Sequence, residues 1–498
     1  MKIPLTPDLH INQFSGAAIT ELESGITNGM VDKKGESLYL TQRPSVDIFE
    51  DAGTFIADTK GRGIFYWEAT DALYMVNNGT LYKDSQSNVL STALTSGVRK
   101  CTFQVLDDTL ILIDPENNQA FTITSGDTVT EITDTDFPSK QIPAIGLADG
   151  GVSLDGYLFV MGEDGVIYNS DNGAPSSWSA LGYVGTDREP DAGVYLGTHH
   201  DNLAALGASS IEFFYNASNP VGSPLARRQD VAYNIGCSSG ESVWEEGDRM
   251  FFVGVNYSGA LGVYTLENFQ VRKVSSSTID SFLTQAIVKD GFTTVGCGLS
   301  AGGHIFYLLT ICSTPDSKSA HITLVFDDST GLWGEWDLDV NDLDKFPLIA
   351  WTKRGGSIER PGEGILINGD MLTLNDDLNP QDTLLGSNYI EDGYIEAGYY
   401  ESADENGTPI VLKARTGMMG GGNQYKFPKS VRHISDQTES AQNLTVRWAS
   451  ERNSFNTGRT LDMSNNNKLT RLGRFIRRNH EIEYSGTEPV RLEALEID

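Results

Sequence analysis

Cysteine is scarce in this sequence and never paired: Cys101, Cys237, Cys297 and Cys312 are the only four, and no CxxC occurs. That spacing excludes a zinc module and a disulfide scaffold, and leaves the reading of small buried hydrophobes. Positive charge is short as well. Against 68 Asp and Glu stand 36 Lys and Arg, for a formal net charge of -32. A chain this acidic repels phosphate backbones, which excludes an ordinary duplex-DNA binder that gains affinity by releasing counterions. Any nucleic acid it meets should slide past. Apolar runs stay well short of the roughly 18 residues that a transmembrane helix needs, and residues 1–14 lack the apolar core of a secretory signal. The expectation is a soluble chain with no membrane insertion, kept in a reducing cytoplasm until something releases it. In that compartment the five Asn-x-Ser/Thr sequons, at Asn78, Asn216, Asn256, Asn406 and Asn443, carry no glycan.

Catalytic patterns are equally thin. There is no HExxH, no GxSxG and no Walker loop. Of the seven histidines only His199 and His200 adjoin, and neighbours on a strand point to opposite faces, so they should not share a metal. The glycines at Gly296, Gly298 and Gly302 imitate a nucleotide loop, but a strand-like apolar run follows them instead of a helix. Carboxylate pairs such as Asp327/Asp328 and Asp337/Asp339 satisfy the first requirement of glycoside hydrolysis, but with 68 acids such pairs arise by chance. Asn169 to Gly173 followed by Trp178 resembles the structural Asp-box turn of sialidase-like propellers. A sialidase would add an arginine cluster for the sugar carboxylate, and only Arg227/Arg228 and scattered single arginines such as Arg188 are offered. The expectation is a protein that is not an enzyme, with no catalytic residue, metal or cofactor.

What the chain does have is turns. Gly is 52 of 498 residues, about 10% against a usual 7% or so, and it recurs beside Asn and Asp between short β-branched or aromatic runs. Residues 72–83 show the pattern, with two apolar runs flanking Asn78-Gly79, a dipeptide that favours a type I′ hairpin. Similar hairpins begin near residues 107, 154, 200, 247 and 302, giving gaps of 35, 47, 46, 47 and 55. Those gaps bracket the roughly 40–50 residue period of a four-stranded propeller blade. A blade cannot bury its own faces, and radial packing of several does so while leaving only short, protected edges. The competing reading is a β-sandwich or stacked β domains with irregular hairpins. Residues 364–377 offer a weaker seventh unit.

One helix is legible, over residues 277–291. Ile279, Phe282, Leu283, Ala286 and Ile287 share a face and Gly291 closes the end. It should pack between blades as a structural plug. From about residue 393 the composition shifts. Residues 424–498 carry 12 basic and 10 acidic side chains, net +2, leaving -34 on the first 423. The basic residues concentrate at Arg471, Arg474, Arg477 and Arg478, which form either a salt-bridged face or a docking patch for an acidic partner. The predicted architecture is therefore all-β: an N-terminal segment (1–50), a β-propeller-like core of about six blades (51–392) and a C-terminal β domain (393–498).

The order of features also resembles a known family. Residues 197–237, with Ser209-Ser210-Ile211-Glu212-Phe213-Phe214 after a small-residue turn, resemble the central signature of the packaged-DNA stabilisation proteins of short-tailed bacteriophages, also called tail hubs or nozzles. The strand pair over 251–266, the helix around 279–287, and Leu472-Gly473-Arg474 with Arg477 and Arg478 ahead of a strand pair containing Pro489 agree in order. Residues 316–407 align poorly, and the chain is more acidic than the family suggests. The resemblance implies a structural virion protein that is held in the host cytoplasm before assembly. It implies a homo-oligomeric ring, usually of six copies, below the portal and its head-to-tail adaptor. Such a ring extends and closes the DNA channel, passes DNA without sequence-specific binding, and carries a tail fibre or spike. The alternative is a glycan-binding or glycan-cleaving β-propeller.

Overall fold

In the computed structural model, residues 22–34, 37–44, 61–186, 188, 191–301, 303–312, 320–337, 348–353, 408–417, 419–420, 424–435, 438, 440–450 and 454–498 apart from 466, 487 and 489 are described, with short strands at 2–4, 10–11, 46–48, 362–366, 371–374 and 404–405. The structure is all-β, as expected. The Asn78-Gly79 dipeptide does what its chemistry demands: Asn78 takes a left-handed φ of 53°, and Asn77 pairs with Thr80 across a two-residue turn. Every hairpin named from the sequence lies inside one of six successive antiparallel units, at residues 61–91, 102–131, 152–185, 193–233, 235–273 and 293–335.

The blade count is seven, not about six. Leu348–Lys353, Gly362–Leu366 and Met371–Leu374 form three strands, and Val46–Ile48 supplies the fourth from the opposite end of the chain. Ile48 pairs with Leu372 and Val46 with Leu374. The weak hairpin at 364–377 was therefore a real blade, short of one strand that no local pattern could supply.

Side-chain alternation makes the ring. On the strand Thr109–Asp114, Leu110 and Leu112 pack with Trp67 and Tyr74 of blade one, while Ile111 and Ile113 pack with Leu158 and Val160 of blade three. The same division recurs around the circle, with Phe159 against Leu203, Phe213 against Phe252, and Phe251 against Tyr307. Ile64, Met75, Val295, Cys312 and Ile349 then share one cluster, so blades six, seven and one meet. Each Leu or Ile at 0% exposure contributes about 1.5–3 kcal/mol, and blades one to six spend both faces this way.

The helix at Ser277–Leu283 is capped by Ser276, whose hydroxyl accepts from the Ile279 amide, and it continues as a π-turn over Thr284–Lys289. Ile279, Phe282, Leu283 and Ala286 pack between blades five and six, as the sequence implied.

Residues 22–42 join the C-terminal strands. Ile26, Val31 and Leu40 share a core with Leu412, Val431, Leu444, Ile482, Tyr484 and Leu492, between two sheets. One sheet continues directly from blade six, because Thr27 pairs in parallel with Glu335. Buried Arg43 fixes this joint, donating to the Asp337 carbonyl at 2.7 Å and to Asn28 Oδ1 at 3.1 Å beside the Trp336 ring. Among the described residues no helix is long and apolar enough to cross a membrane.

Candidate functional site

Charged side chains tie the blades together, first between neighbours and then across the ring. Arg62, on the first strand of blade one, grips Asp114 of blade two through two bonds of 2.5 and 3.0 Å, with both side chains fully buried. Glu116 accepts from the amides of Val98 and Arg99 at 2.6 and 2.7 Å. Lys100 then spans the ring: its amide donates to Glu241 Oε1 of blade five at 3.0 Å, and its ammonium donates to the Gly296 carbonyl of blade six at 2.7 Å. Beside this plug Arg99 pairs with Asp149 at 2.8 Å. Burial raises the Asp149 carboxyl to about 6 even though Arg99 pulls it down. A cavity of about 360 Å³ opens here, lined by Arg99, Asp149, Glu163, Glu241, Phe292 and Thr294 among others.

Chemically, this axis offers a carboxyl that titrates near neutrality inside a fixed network of ion pairs. No group of three or more His, Cys, Asp or Glu placed to hold a metal occurs among the described residues. His199 and His200 come closer than alternation allowed, with ring centroids 4.7 Å apart, because the strand stops at His199 and His200 enters a left-handed turn at φ 51°. His199 Nε2 is already occupied by the Phe269 amide at 2.9 Å. Gly296 and Gly298 lie on a strand, where missing side chains admit Ser242 and Trp244: a Cβ would fall 2.0 Å from the Ser242 carbonyl and 2.4 Å from the Trp244 ring. Their pattern is packing chemistry. Trp178 of the Asp-box-like stretch is buried and donates to the Pro175 carbonyl at 3.0 Å. Arg227 is committed to Glu212, and Arg228 to Asp230 and the Phe269 ring. All four cysteines are buried and none forms a disulfide, and burial pushes the Cys237 and Cys297 thiols up to about 12.

The C-terminal arginines separate into two kinds. Arg478 is 2% exposed, donating to Ser450 Oγ at 3.0 Å and to the Leu472 carbonyl at 2.9 Å, with its guanidinium over Phe475. It is a structural element of the C-terminal unit. Arg471, Arg474 and Arg477 are exposed, and Arg474 stacks over Tyr425 at 4.5 Å.

Two positions from Arg478, His480 is 1% exposed, and burial, reinforced by Arg478, lowers it to about 4. It therefore stays neutral when folded while its unfolded counterpart charges near 6.5. Stability is full above pH 6.5 and falls as pH drops toward 4, by on the order of 3 kcal/mol. A His480→Gln variant, compared with the parent by chemical denaturation at pH 7 and pH 4, should lose less stability by about that amount; equal losses would contradict the assignment.

A family model described as bacteriophage P22 Gp10, beta-propeller (Phage_stabilise), matches residues 20–310, more than half of the chain. The chain belongs to that family. It is thus a phage structural protein of the tail and a component of the virion. The matched span begins in the strap that feeds the C-terminal unit and runs into blade six, so the phage-stabilisation propeller includes most of the ring described above. No curated protein sequence matches the chain. Solved structures to which it is similar are BamB from Moraxella catarrhalis (11% identity, 69% of this chain and 92% of that one, TM-score 0.35) and an exported protein from Bacteroides fragilis (12%, 60% and 83%, TM-score 0.31). A third is KlHsv2 with loop 6CD replaced by a Gly-Ser linker (10%, 62% and 92%, TM-score 0.32).

Sequence reasoning missed the axial plug of this family member. Arg62 and Asp114 are 52 residues apart on different blades, and no local pattern links them. The split between Arg477 and Arg478 carried a signal, since consecutive strand residues face opposite ways.

Proposed function

We propose that this chain is the tail hub, or nozzle, of a short-tailed phage: a ring of six copies below the portal and head-to-tail adaptor that extends and closes the DNA channel and carries a fibre or spike. The observation that carries this reading is the family match over a propeller whose centre is crossed by Lys100, with the buried Arg62–Asp114 pair beside it. A rigid block with a sealed axis is a wall element, so DNA passes between copies and never through one. Net charge of -32 keeps that wall from retaining the duplex. Within each copy we propose a division of labour. The propeller (51–392) is the rigid body, and the C-terminal unit (393–498) docks through Arg471, Arg474 and Arg477, with Arg478 supporting them from below. A closed ring repeats one interface and presents several copies of each weak appendage contact.

Mass photometry of the purified chain, alone and with adaptor rings, tests the reading. The chain alone should be mainly monomer at the low concentrations of that method, with a six-copy increment appearing only on the adaptor. A monomer indifferent to every such ring would sink the hub and favour the glycan-binding propeller.

A further inference from the structure

Turn chemistry gives one face of the propeller its charge. In a four-stranded blade the loops after the first and third strands share one face. Such tight turns need positive φ, which Asn, Asp and Gly tolerate. On this face the chain repeatedly chooses Asp: Asp71, Asp84, Asp107, Asp127 and Asp155 all adopt left-handed φ, between 49° and 64°. Contacts between neighbouring blades place these turns together. Lys83 reaches Asp127, Asn216 donates to Asp155 at 2.9 Å, and a Cβ on Gly173 would lie 3.8 Å from Asp107. Glu68, Asp107, Asp108, Asp155 and Asp201 are exposed here, and none forms an ion pair among the described residues.

The opposite charge is concentrated on the C-terminal unit. Residues 424–434 and 463–480 contain no Asp or Glu, and the fold lays them side by side. Lys426 and Phe475 exchange backbone hydrogen bonds of 2.7 and 3.1 Å, and Ser430 pairs with Thr470. Arg432 and Arg478 are spent on Glu496 and the interior. Lys426, Lys429, Lys468, Arg471, Arg474 and Arg477 remain exposed without an ion pair among the described residues, next to Tyr425 and Phe427, which are 48% and 71% exposed. The carboxylate adjoining this face is Asp498, which accepts from Ser430.

We infer that this cationic and aromatic face docks on the acidic turn face of a second copy of this chain. The inference rests on the ring proposed above and names its interface. Charge complementarity selects the occupant: six exposed cations face outward on a chain whose first 423 residues carry -34. Exposed Tyr, Phe and Arg are the residues that protein interfaces favour. The two faces differ, so the contact is head to tail, the kind that closes into a ring.

Three full-length chains test it by sedimentation velocity at micromolar concentration: the parent, the triple variant Arg471→Glu, Arg474→Glu, Arg477→Glu, and the triple variant Glu68→Lys, Asp108→Lys, Asp201→Lys, whose positions are exposed and outside the left-handed turns. The parent should self-associate, about tenfold more weakly at 0.5 M than at 0.05 M salt, as screened exposed charges require. Each variant alone should be monomeric at an unchanged melting temperature, and an equimolar mixture of the two should associate again. Variants that associate like the parent, or a mixture that stays apart, would overturn the interface. Adaptor loading keeps the two readings distinct. If all three chains load equally, the interface falls and the hub stands; if none loads, the hub falls too.

Discussion

Replacing Arg62 by alanine should cost about 3–5 kcal/mol of stability, because it strands the carboxylate of Asp114 at 0% exposure in the middle of the ring. Burial works against the guanidinium charge, but Cys101, Asp114 and Glu116 together outweigh it, holding the group above its ordinary value. On the roughly 2–4 °C per kcal/mol of a domain of 150–250 residues, the melting temperature should fall by about 6–20 °C. Near-ultraviolet circular dichroism during thermal unfolding reads the change. The double variant Arg62→Met, Asp114→Leu should recover much of the loss, since an apolar pair of similar volume carries no desolvation penalty. A single-variant loss below about 1 kcal/mol would mean that water reaches the axis and that the plug is not sealed.

Removing residues 1–48 should abolish folding altogether. The deletion strips the outer strand from blade seven and takes Ile26, Val31 and Leu40 from the C-terminal core. Losses of roughly 2–5 kcal/mol for each of these three core side chains, about 6–15 kcal/mol together, match the whole 5–15 kcal/mol that a domain usually has, before the lost strand of blade seven is added. Size-exclusion chromatography should show only aggregate. A milder variant, Val46→Gly with Asp47→Pro and Ile48→Gly, separates the strand from the core. Here the C-terminal unit should keep its protease resistance while blade seven is cut near residues 362–374. Equal protection of blade seven in the variant and the parent would show that the ring closes without its borrowed strand.

Local chemistry was legible and long-range chemistry was not. Hairpins announced themselves because a two-residue turn and its flanking alternation fit within about a dozen residues, as at Asn78-Gly79. The helix was readable from the spacing of Ile279, Phe282, Leu283 and Ala286, which proved to be the buried face. By contrast, Val46–Ile48 is three residues long, and its partner is Met371–Leu374. No spacing rule connects such distant segments. The Arg471 to Arg478 run could be read only as a basic patch, yet alternation along Arg477–Tyr484 turns one arginine outward and its neighbour into the core. Five of the acidic turns were hidden for another reason. At those positions Asp and Asn satisfy the backbone equally, so the turn signature gave the geometry and left the charge unremarked.

The borrowed strand also sets a schedule for synthesis. Ile48 leaves the ribosome early, and Leu372, its partner, follows 324 residues later (372 − 48). At about 5–20 residues per second the first segment waits roughly 15–65 s for the other half of its hydrogen-bond ladder. Blades one to six can assemble during that interval, each packing on the blade before it, but the circle stays open until about three-quarters of the chain has been made. The nascent chain therefore spends most of its production time as an arc with two bare strand edges. Slower elongation should lengthen that vulnerable period, and crowding by neighbouring nascent chains should be felt there first.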